Sequence, residues 1–252
     1  MKISCQIAVL ALAALIAASP FNCPPTTTVT MTLGDGHSTP ASSSVSVTSA
    51  PHPVSTTSTD GSTDYMTVSI TNVYGSQLSL SFLSNAGDPA PVGNSATTVL
   101  PNNSPTQYAF PTGWAGRIYV GPNTNYRSSK IEGSLTGPPD IDVNYVDGYS
   151  MPITCSSEGT AVSGCNIDLF KQPGITCNNQ VDDPVCLNPA QNIADGLAPP
   201  FFKACAGAAY TYPNDNKANV SNLKSNLVSC CIGTSCQAPS RQLVKGGNPM
   251  DI

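Results

Sequence analysis

Apolar and polar residues alternate at every second position in several short stretches that begin just after Asp64. Residues 66–72 and 77–82 alternate in this way on either side of Tyr74-Gly75, which predicts a β-hairpin. The other stretches predict short strands at residues 96–100, 108–110, 116–120 and 141–145. Clusters of Pro, Gly and Asn separate them, and short strands with turn signals about every ten residues are typical of a β-sandwich or barrel.

The clearest alternation lies in the middle of the chain. Ile141, Val143 and Tyr145 alternate with polar residues, so burying these three side chains places Asp142 on the opposite face of the strand. Asp147 then precedes a glycine, and Asp-Gly is a turn signal. We expect the carboxylates of Asp142 and Asp147 to project into one neighbourhood from a rigid backbone.

The two ends of the chain differ from this pattern. Residues 1–19 place one early lysine before an apolar run that ends in small residues, which is typical of a secretory signal peptide. Residues 20–63 form a predicted disordered stalk, because Ser and Thr make up 20 of the 38 residues from 26 to 63 and leave little apolar surface to bury. With residues 237–252 predicted as a flexible tail, the folded domain spans residues 64–236.

Composition narrows the chemistry further. The net charge is −5, with 15 acidic and 10 basic side chains, and no basic cluster suits nucleic acid or an anionic membrane. Both histidines, His37 and His52, fall in the predicted stalk, which argues against a histidine-based triad or zinc site. No cofactor or metal is indicated. We expect a monomeric secreted protein, extracellular or associated with the cell wall.

Cysteines are concentrated in the second half of the predicted domain. They predict a disulfide-rich part at residues 155–236, following a β-sandwich part at residues 64–154. We expect disulfides at all eight: Cys155, Cys165, Cys177, Cys186, Cys205, Cys230, Cys231 and Cys236. The adjacent Cys230 and Cys231 should have different partners, because a vicinal bridge strains the peptide. Spacing leaves the pairing open, and Cys23 is left over in the predicted stalk.

Most of this cysteine-rich part is predicted to be loops, with one short helix beginning at Asn188-Pro189. Asn102 and Asn219 each begin an Asn-X-Ser sequon in a predicted loop, where an N-glycan can be accommodated.

Two carboxylates could carry chemistry. The only glutamates are Glu132 and Glu158, and Glu132 precedes the strand of Asp142 closely enough to lie on a neighbouring strand or loop. Glycoside hydrolysis needs a pair of carboxyl groups across a groove, one protonated and one ionised. We therefore consider Glu132 as a proton donor and Asp142 as its partner.

Thaumatin-like proteins share a strand-and-turn segment that this chain resembles at Asp142-Val143-Asn144-Tyr145-Val146-Asp147-Gly148-Tyr149, followed by Met151-Pro152. The similarity extends upstream to Gly116-Arg117-Ile118-Tyr119 and downstream to residues 201–205 and 209–215, so it covers roughly residues 66–236. The resemblance implies a thaumatin-like β-sandwich with a disulfide-rich loop lobe. It also implies an acidic cleft of one Arg, one Glu and three Asp that binds, and in many members slowly hydrolyses, β-1,3-glucans.

Carried over by position, the resemblance implies that this cleft contains Glu132, Asp142, Asp147 and Asp215. The family's cleft arginine does not carry over, because Gly121 stands at its position. Aromatic rings that line such a groove would stack on sugars, and Tyr145 and Tyr149 are the rings that we expect to contact a substrate.

Three functions are consistent with these observations. The first is binding of a cell-wall polysaccharide, a β-1,3-glucan, in the acidic cleft. The second is weak hydrolysis of the same glucan, in the manner of an endo-β-1,3-glucanase, through Glu132 and Asp142. The third is a secreted protein-interaction module in which the acidic residues are incidental. We rank binding slightly above hydrolysis, because the cleft arginine is missing.

Overall fold

The computed structural model describes residues 64–93, 98–122, 125–182 and 184–242, and it is mainly β, as predicted. These residues contain two 3-10 helices, Leu169–Lys171 and Lys203–Cys205. The strands are β1 (Tyr65–Asn72), β2 (Leu78–Ser84), β3 (Thr98–Leu100), β4 (Pro105–Pro111), β5 (Ala115–Gly121), β6 (Lys130–Ser134), β7 (Asp140–Asn144), β8 (Gly148–Tyr149), β9 (Ile153–Ser157), β10 (Thr160–Cys165), β11 (Gln180–Asp182), β12 (Val185–Leu187) and β13 (Leu227–Ile232). The predicted signal peptide and stalk, with Cys23, His37 and His52, lie outside the described residues.

Two five-stranded sheets contain most of these strands. The first sheet has the order β10-β9-β13-β1-β4, and the second has the order β3-β2-β5-β6-β7. A smaller third sheet has the order β11-β12-β8. In the two large sheets all neighbouring strands are antiparallel except β1 and β13, which run parallel. The outermost strands of the first sheet are therefore β10 and β4, and those of the second are β3 and β7.

The core lies between the two large sheets. A Cβ placed on Gly133 of β6 would lie 3.2 Å from the terminal methyl of Met66 on β1, and one on Gly164 of β10 would lie 2.9 Å from a methyl of Val143 on β7. The two glycines thus allow close approach of the facing strands. Trp114 is also fully buried, and its ring packs on that of Phe110 with centroids 4.2 Å apart.

The predicted hairpin of β1 with β2 is wrong, because the two strands belong to different sheets. The side chain of Asn72 holds the chain where it crosses between them, accepting from the amide of Tyr74 at 3.0 Å and donating to the carbonyl of Leu100 at 3.1 Å. Alternation correctly identifies the buried face of each strand. It does not identify the neighbours, and here both strands bury that face in the same core from opposite sides.

The strands predicted at residues 108–110, 116–120 and 141–145 are confirmed as β4, β5 and β7, and the described part of 96–100 is β3. The prediction of mostly loops after residue 155 is wrong, since β9, β10 and β13 form three of the five strands of the first sheet. These strands are rich in Ser, Thr and Cys, and so they lack a clear apolar alternation. The two predicted parts of the domain therefore share one sheet and one core.

All eight cysteines of the described residues form disulfides, as predicted. The pairs are Cys155–Cys230, Cys165–Cys205, Cys177–Cys186 and Cys231–Cys236. Cys230 and Cys231 have separate partners, also as predicted. Cys155 and Cys230 lie directly opposite each other on β9 and β13, so this bridge joins neighbouring strands of the first sheet.

The predicted helix at Asn188 is absent, and successive turns replace it. The Asn188 side chain caps as expected, accepting from the amide of Ala190 at 2.9 Å. The bonds that follow connect residues three apart, from Gln191 to Asn188 and from Ile193 to Ala190, which is the pattern of turns. The Asn188 amide group also donates to the carbonyls of Tyr145 and Thr211, at 3.0 and 2.7 Å. Asn188 thus ties this segment to two other parts of the domain.

Residues 237–242 were predicted to begin a flexible tail, but the described residues there are bonded to the domain. Gln242 accepts from the backbone amide of Asn166 at 3.0 Å and donates to its side-chain oxygen at 2.7 Å. Residues 243–252 lie outside the described residues. Among the residues that the structure describes, no helix is long and apolar enough to cross a membrane.

Candidate functional site

The outward face of the second sheet is polar where β5, β6 and β7 lie side by side. The register places Arg117, Glu132 and Asp142 directly opposite one another across the three strands. Directly opposed residues of antiparallel strands share one face, with Cβ atoms roughly 4.5–5.5 Å apart. Ser134 and Asp140 form the next pair on one side, and the next row on the other side consists of Tyr119, Lys130 and Asn144.

We call the outward side chains of Glu132, Asp140, Asp142 and Asn144 the acidic face. It confirms one expectation in particular, since Glu132 and Asp142 lie on neighbouring strands in direct register. Asp142 lies on the face opposite Ile141 and Val143, as expected, and Asn144 shares that face. Both residues are nevertheless nearly buried, each only 8% exposed, because another segment of the chain lies beside β7.

Asp142 is the carboxyl group with the most altered acidity on this face. Its Oδ1 accepts a 2.8 Å hydrogen bond from the amide of Val220. Burial, together with the carboxylates of Asp140 and Glu132, raises the pKa of Asp142 to about 7, while the Val220 bond and the charge of Arg241 act in the opposite direction. A carboxyl group with this pKa is partly protonated at neutral pH, which is the state that donates a proton.

Asp140 and Glu132 complete the acidic cluster around Asp142. Burial raises the pKa of Asp140, a hydrogen bond with Asp142 lowers it, and the charge of Glu132 raises it again. Glu132 accepts from the side-chain amide of Asn144 at 2.8 Å and remains about one third exposed, with 34% of its side chain accessible. Asp140 and Asp142 therefore titrate as interacting groups rather than separately.

Lys130 connects this cluster to Asp147. Its ammonium group forms an ion pair with Asp147 and lies 3.8 Å from Oε1 of Glu132, and its side chain is only 4% exposed. Lysine is rarely buried without a charged partner, so this pairing explains its position. Sequence reasoning missed Lys130. The signal was present in its spacing of two from Glu132 on a strand, which places both side chains on one face.

The cation beside the acidic face is not the arginine that the thaumatin-like resemblance implies. Gly121 ends β5 and is buried, and Arg117 donates from its guanidinium to the side chain of Asn85 at 3.3 Å. Within the described part of the chain, Lys130 is the cation in contact with Glu132. The positive charge beside Glu132 thus comes from a lysine of the neighbouring row.

A segment that we call the cover segment, residues 207–223, lies beside β7. Tyr210 exchanges backbone hydrogen bonds with this strand region, donating to Val143 at 2.9 Å and accepting from Tyr145 at 2.8 Å. Further along, the carbonyl of Val220 accepts from the amide of Ile141 at 3.4 Å. The cover segment therefore occupies the outer edge of β7 and limits access of water to Asp142.

Tyr210 is a half-buried aromatic residue next to the acidic cluster, and sequence reasoning missed it. Burial, followed by the charges of Asp142 and Asp140 and those of Asp215 and Glu132, raises the pKa of its hydroxyl to about 12. The hydroxyl stays protonated at physiological pH and can donate a hydrogen bond. Its position in an aromatic Tyr-Thr-Tyr run was a weak signal, but only the fold brings it to β7.

Asp215 was predicted to bind substrate, and the structure gives it a structural role instead. It is 2% exposed, and its Oδ2 accepts from the amide of Gly207 at 3.1 Å and from the hydroxyl of Thr211 at 2.9 Å. These bonds close the first turn of the cover segment. The carboxylate therefore holds the segment beside β7 and does not face a ligand.

The prediction that Tyr145 and Tyr149 contact substrate is also wrong, because both side chains are fully buried. Their rings pack edge to face with centroids 5.1 Å apart. The hydroxyl of Tyr149 donates to the carbonyl of Ile167 at 3.0 Å and accepts from the amide of Leu169 at 3.1 Å. Neither ring presents a face on which a sugar could stack.

The Asp147-Gly148 pair bends the chain between β7 and β8, as predicted. A Cβ on Gly148 would lie 2.4 Å from the carbonyl oxygen of Arg127 and 2.7 Å from that of Cys186. These backbone groups leave no room for a side chain, which gives a physical reason for glycine at this position of the motif. The bend directs Asp147 back toward Lys130.

The two predicted glycosylation sites and the question of a metal site can also be compared with the structure. Asn102 and Asn219 are exposed, so a glycan could be attached to either without displacing the core. The Asn102 side chain also accepts from the amide of Gly75 at 2.9 Å. Within residues 64–93, 98–122, 125–182 and 184–242, no group of three or more His, Cys, Asp or Glu side chains is arranged to hold a metal ion.

No protein-family model matches this chain, and no curated protein sequence matches it.

Proposed function

We propose that this protein is a secreted, thaumatin-like polysaccharide-binding protein whose acidic face binds a β-1,3-glucan. The observation that carries the proposal is the set of three carboxyl groups and one amide on adjacent strands, beside the half-buried Tyr210. Carboxylate and amide oxygens accept hydrogen bonds from sugar hydroxyls, and the Asn144 and Tyr210 side chains can also donate them.

Several features support the thaumatin-like part of this proposal. The motif residues Asp142 to Tyr149 form a strand, a bend and a short second strand, which is the local structure implied by the resemblance. The four disulfides fit an oxidising compartment, in agreement with the signal peptide predicted at residues 1–19. The ligand surface differs from the expectation, with Tyr210 in place of Tyr145 and Tyr149, and with Lys130 in place of the arginine.

Binding to insoluble β-1,3-glucan tests the proposal directly. Glu132→Gln and Asp142→Asn should each reduce retention of the full-length protein on the glucan several-fold, because an amide offers fewer acceptor sites than a carboxylate. Asp142→Asn keeps an oxygen that can accept from Val220, so the strand should be preserved. Glu158→Gln is the matched control, since Glu158 is exposed in the turn between β9 and β10.

A second pair of variants tests the aromatic contribution. Tyr210→Ala should weaken retention by about 0.5–1.5 kcal/mol if the ring or hydroxyl contacts sugar, the range of one well-placed ring or hydrogen bond. Tyr126→Ala is the control, because the Tyr126 ring is 59% exposed and packs against the guanidinium of Arg127. Failure of the wild-type protein to bind any glucan would overturn the proposal and favour a protein-interaction module.

Slow hydrolysis of the glucan is the second candidate function, and the acidity of Asp142 favours it. A pKa of about 7 makes Asp142 the proton donor and leaves Glu132 as its partner, which exchanges the roles that the sequence suggested. Release of reducing sugar, measured on the protein used for binding, should then be lost in Asp142→Asn and should decline above about pH 7. Turnover that survives in this variant would place the chemistry elsewhere.

A further inference from the structure

Arg241 joins three backbone carbonyl groups beside the acidic face. Its guanidinium donates to the carbonyl oxygens of Lys217 and Asn219 in the cover segment, and to that of Val162 in β10. An arginine side chain presents five donors in a rigid planar fork, so a single residue can hold two chain segments at a fixed distance. The neighbouring Gln242 bonds to Asn166 and anchors the segment that carries Arg241.

One of these carbonyls belongs to the peptide group that contacts Asp142. The carbonyl of Asn219 and the amide N–H of Val220 are the two ends of the same planar peptide unit. Arg241 donates to the oxygen of this unit at 3.3 Å, and the N–H of the unit donates to Oδ1 of Asp142 at 2.8 Å. The peptide group is therefore held between a cation and a carboxyl group.

This arrangement strengthens the hydrogen bond to Asp142. A cation at the carbonyl end of a peptide group polarises it, and the N–H at the other end becomes a better donor, because hydrogen bonds in a chain reinforce one another. The contacts to Lys217 and Val162 fix the position of the guanidinium that donates to this peptide group. Arg241 thus acts on Asp142 through the backbone as well as through its charge.

We propose that Arg241 is a positioning residue for the acidic face, which holds and polarises the Asn219–Val220 peptide group so that its N–H donates to Asp142. The other charged and titratable groups around Asp142 are Asp140 and Glu132 on the second sheet and Tyr210 on the cover segment. Arg241 counteracts the two carboxylates. Only the consequence for glucan binding rests on the proposed function.

Removing Arg241 should leave Asp142 protonated to higher pH. Burial and the carboxylates of Asp140 and Glu132 raise the pKa of Asp142, and both the positive charge of Arg241 and the Val220 hydrogen bond oppose that rise. Without the guanidinium, the pKa of Asp142 should therefore increase. If the acidic face binds glucan through ionised carboxylates, the pH at which binding becomes half-maximal should increase by the same amount.

The experiment uses the full-length protein with Arg241→Gln, which removes the charge and the fork, and Arg241→Lys, which keeps the charge alone. Two NMR measurements report on the site without any ligand: the titration of the Asp142 carboxyl carbon and the hydrogen exchange of the Val220 amide. Lys224→Gln is the control, because it removes one exposed positive charge a few residues from Val220.

In Arg241→Gln we expect the Asp142 midpoint to rise by about half a pH unit and the Val220 amide to exchange about tenfold faster, the effect of losing one charge-assisted contact. In Arg241→Lys the exchange should also accelerate, while the midpoint stays closer to that of the wild type. The proposal is overturned if Arg241→Gln keeps a folded spectrum with both values unchanged, or if Arg241→Lys keeps slow exchange. Absence of glucan binding by the wild type would overturn the proposed function and leave this result intact.

Discussion

Asp142 makes the stability of the folded protein depend on pH. The ordinary pKa of this carboxyl group is 3.8, and burial raises it to about 7 in the folded protein. Between these values the folded protein binds a proton more tightly than the unfolded chain does, so the free energy of unfolding falls as pH rises. The stabilising effect is complete below about pH 4 and lost above about pH 7, with a slope of at most about 1.4 kcal/mol per pH unit.

Asp142→Asn should remove most of this dependence. Asparagine does not titrate, and its side-chain oxygen can still accept the hydrogen bond from Val220. We expect the free energy of unfolding, measured by denaturant titration at a series of pH values, to vary much less between about pH 4 and 7 in this variant. The remaining slope should come largely from Asp140, whose pKa is also raised by burial. A slope as steep as that of the wild type would assign the dependence to another group.

Lys130 should contribute more to stability than an exposed lysine in a comparable ion pair. Its ammonium group is nearly buried between Asp147 and Glu132, so Lys130→Met leaves two carboxylates without their cation. We expect a loss of about 1–3 kcal/mol in the free energy of unfolding, below the usual cost for a fully buried pair because both partners are about one third exposed.

Lys171→Met provides the comparison for Lys130. Lys171 pairs with Asp168 at 2.9 Å, but its side chain is 79% exposed. Exposed pairs contribute about 0–1 kcal/mol, so Lys171→Met should lower the free energy of unfolding by less than about 1 kcal/mol. Equal losses of unfolding free energy in the two variants would show that burial of Lys130 adds nothing to the stabilising effect of its ion pairs.

For individual residues, the sequence predicted which face of a strand a side chain occupies better than it predicted how deeply that side chain is buried. The alternation of Ile141, Val143 and Tyr145 correctly placed three buried side chains and put Asp142 on the opposite face. It could not predict that Asp142 is itself nearly buried, because the covering residues lie far along the chain, around Val220. Tyr149 was misjudged for the same reason, since its partners Ile167 and Leu169 come after two further strands.

Among the elements, the disulfides differ in the length of chain that they close. Cys155–Cys230 spans 75 residues, whereas Cys231–Cys236 spans five. In the chain-entropy description a longer closed loop restricts the unfolded chain more, and these lengths correspond to a difference of about 2 kcal/mol. The double variant Cys155→Ser/Cys230→Ser should therefore lose about 2 kcal/mol more than Cys231→Ser/Cys236→Ser.

Chemical unfolding of both double variants under non-reducing conditions measures this difference. Both pairs involve β13, so the comparison keeps the location similar while the loop length changes. A larger loss from the short loop would indicate that packing around the Cys231–Cys236 bridge outweighs chain entropy.

Strand composition explains which elements could be predicted. β4, β5 and β7 bury apolar side chains at every second position and were found from the pattern alone. β9 and β13 bury cysteines and short polar side chains, which gives no such pattern. The number of cysteines predicted that this region is cross-linked. It could not predict that two of the cross-linked residues lie opposite each other in the first sheet.

At the scale of the whole molecule, the described residues already contain both large sheets and all four disulfides. A chain beginning at Asp64 should therefore fold without the residues that precede it, since β1 starts at Tyr65 and the described core cluster is built from Met66 and later residues. Thermal unfolding of this shortened chain should show one cooperative transition close to that of the full-length protein. Loss of that transition in the shortened chain alone would give the preceding residues a structural role.

The parallel pairing of β1 with β13 brings together the first and last strands of the described chain. During synthesis β1 can pair with β4 early, but its other edge stays open until β13 emerges, on the order of ten seconds or more later at usual translation rates. Cys155 also has to wait for Cys230, which follows 75 residues later. Four other cysteines that form disulfides emerge in between, so Cys155 is free to react wrongly with Cys165 or Cys177. Maturation of this protein should therefore depend on chaperones that shield the open edge of β1 and on disulfide isomerases that correct early wrong pairings.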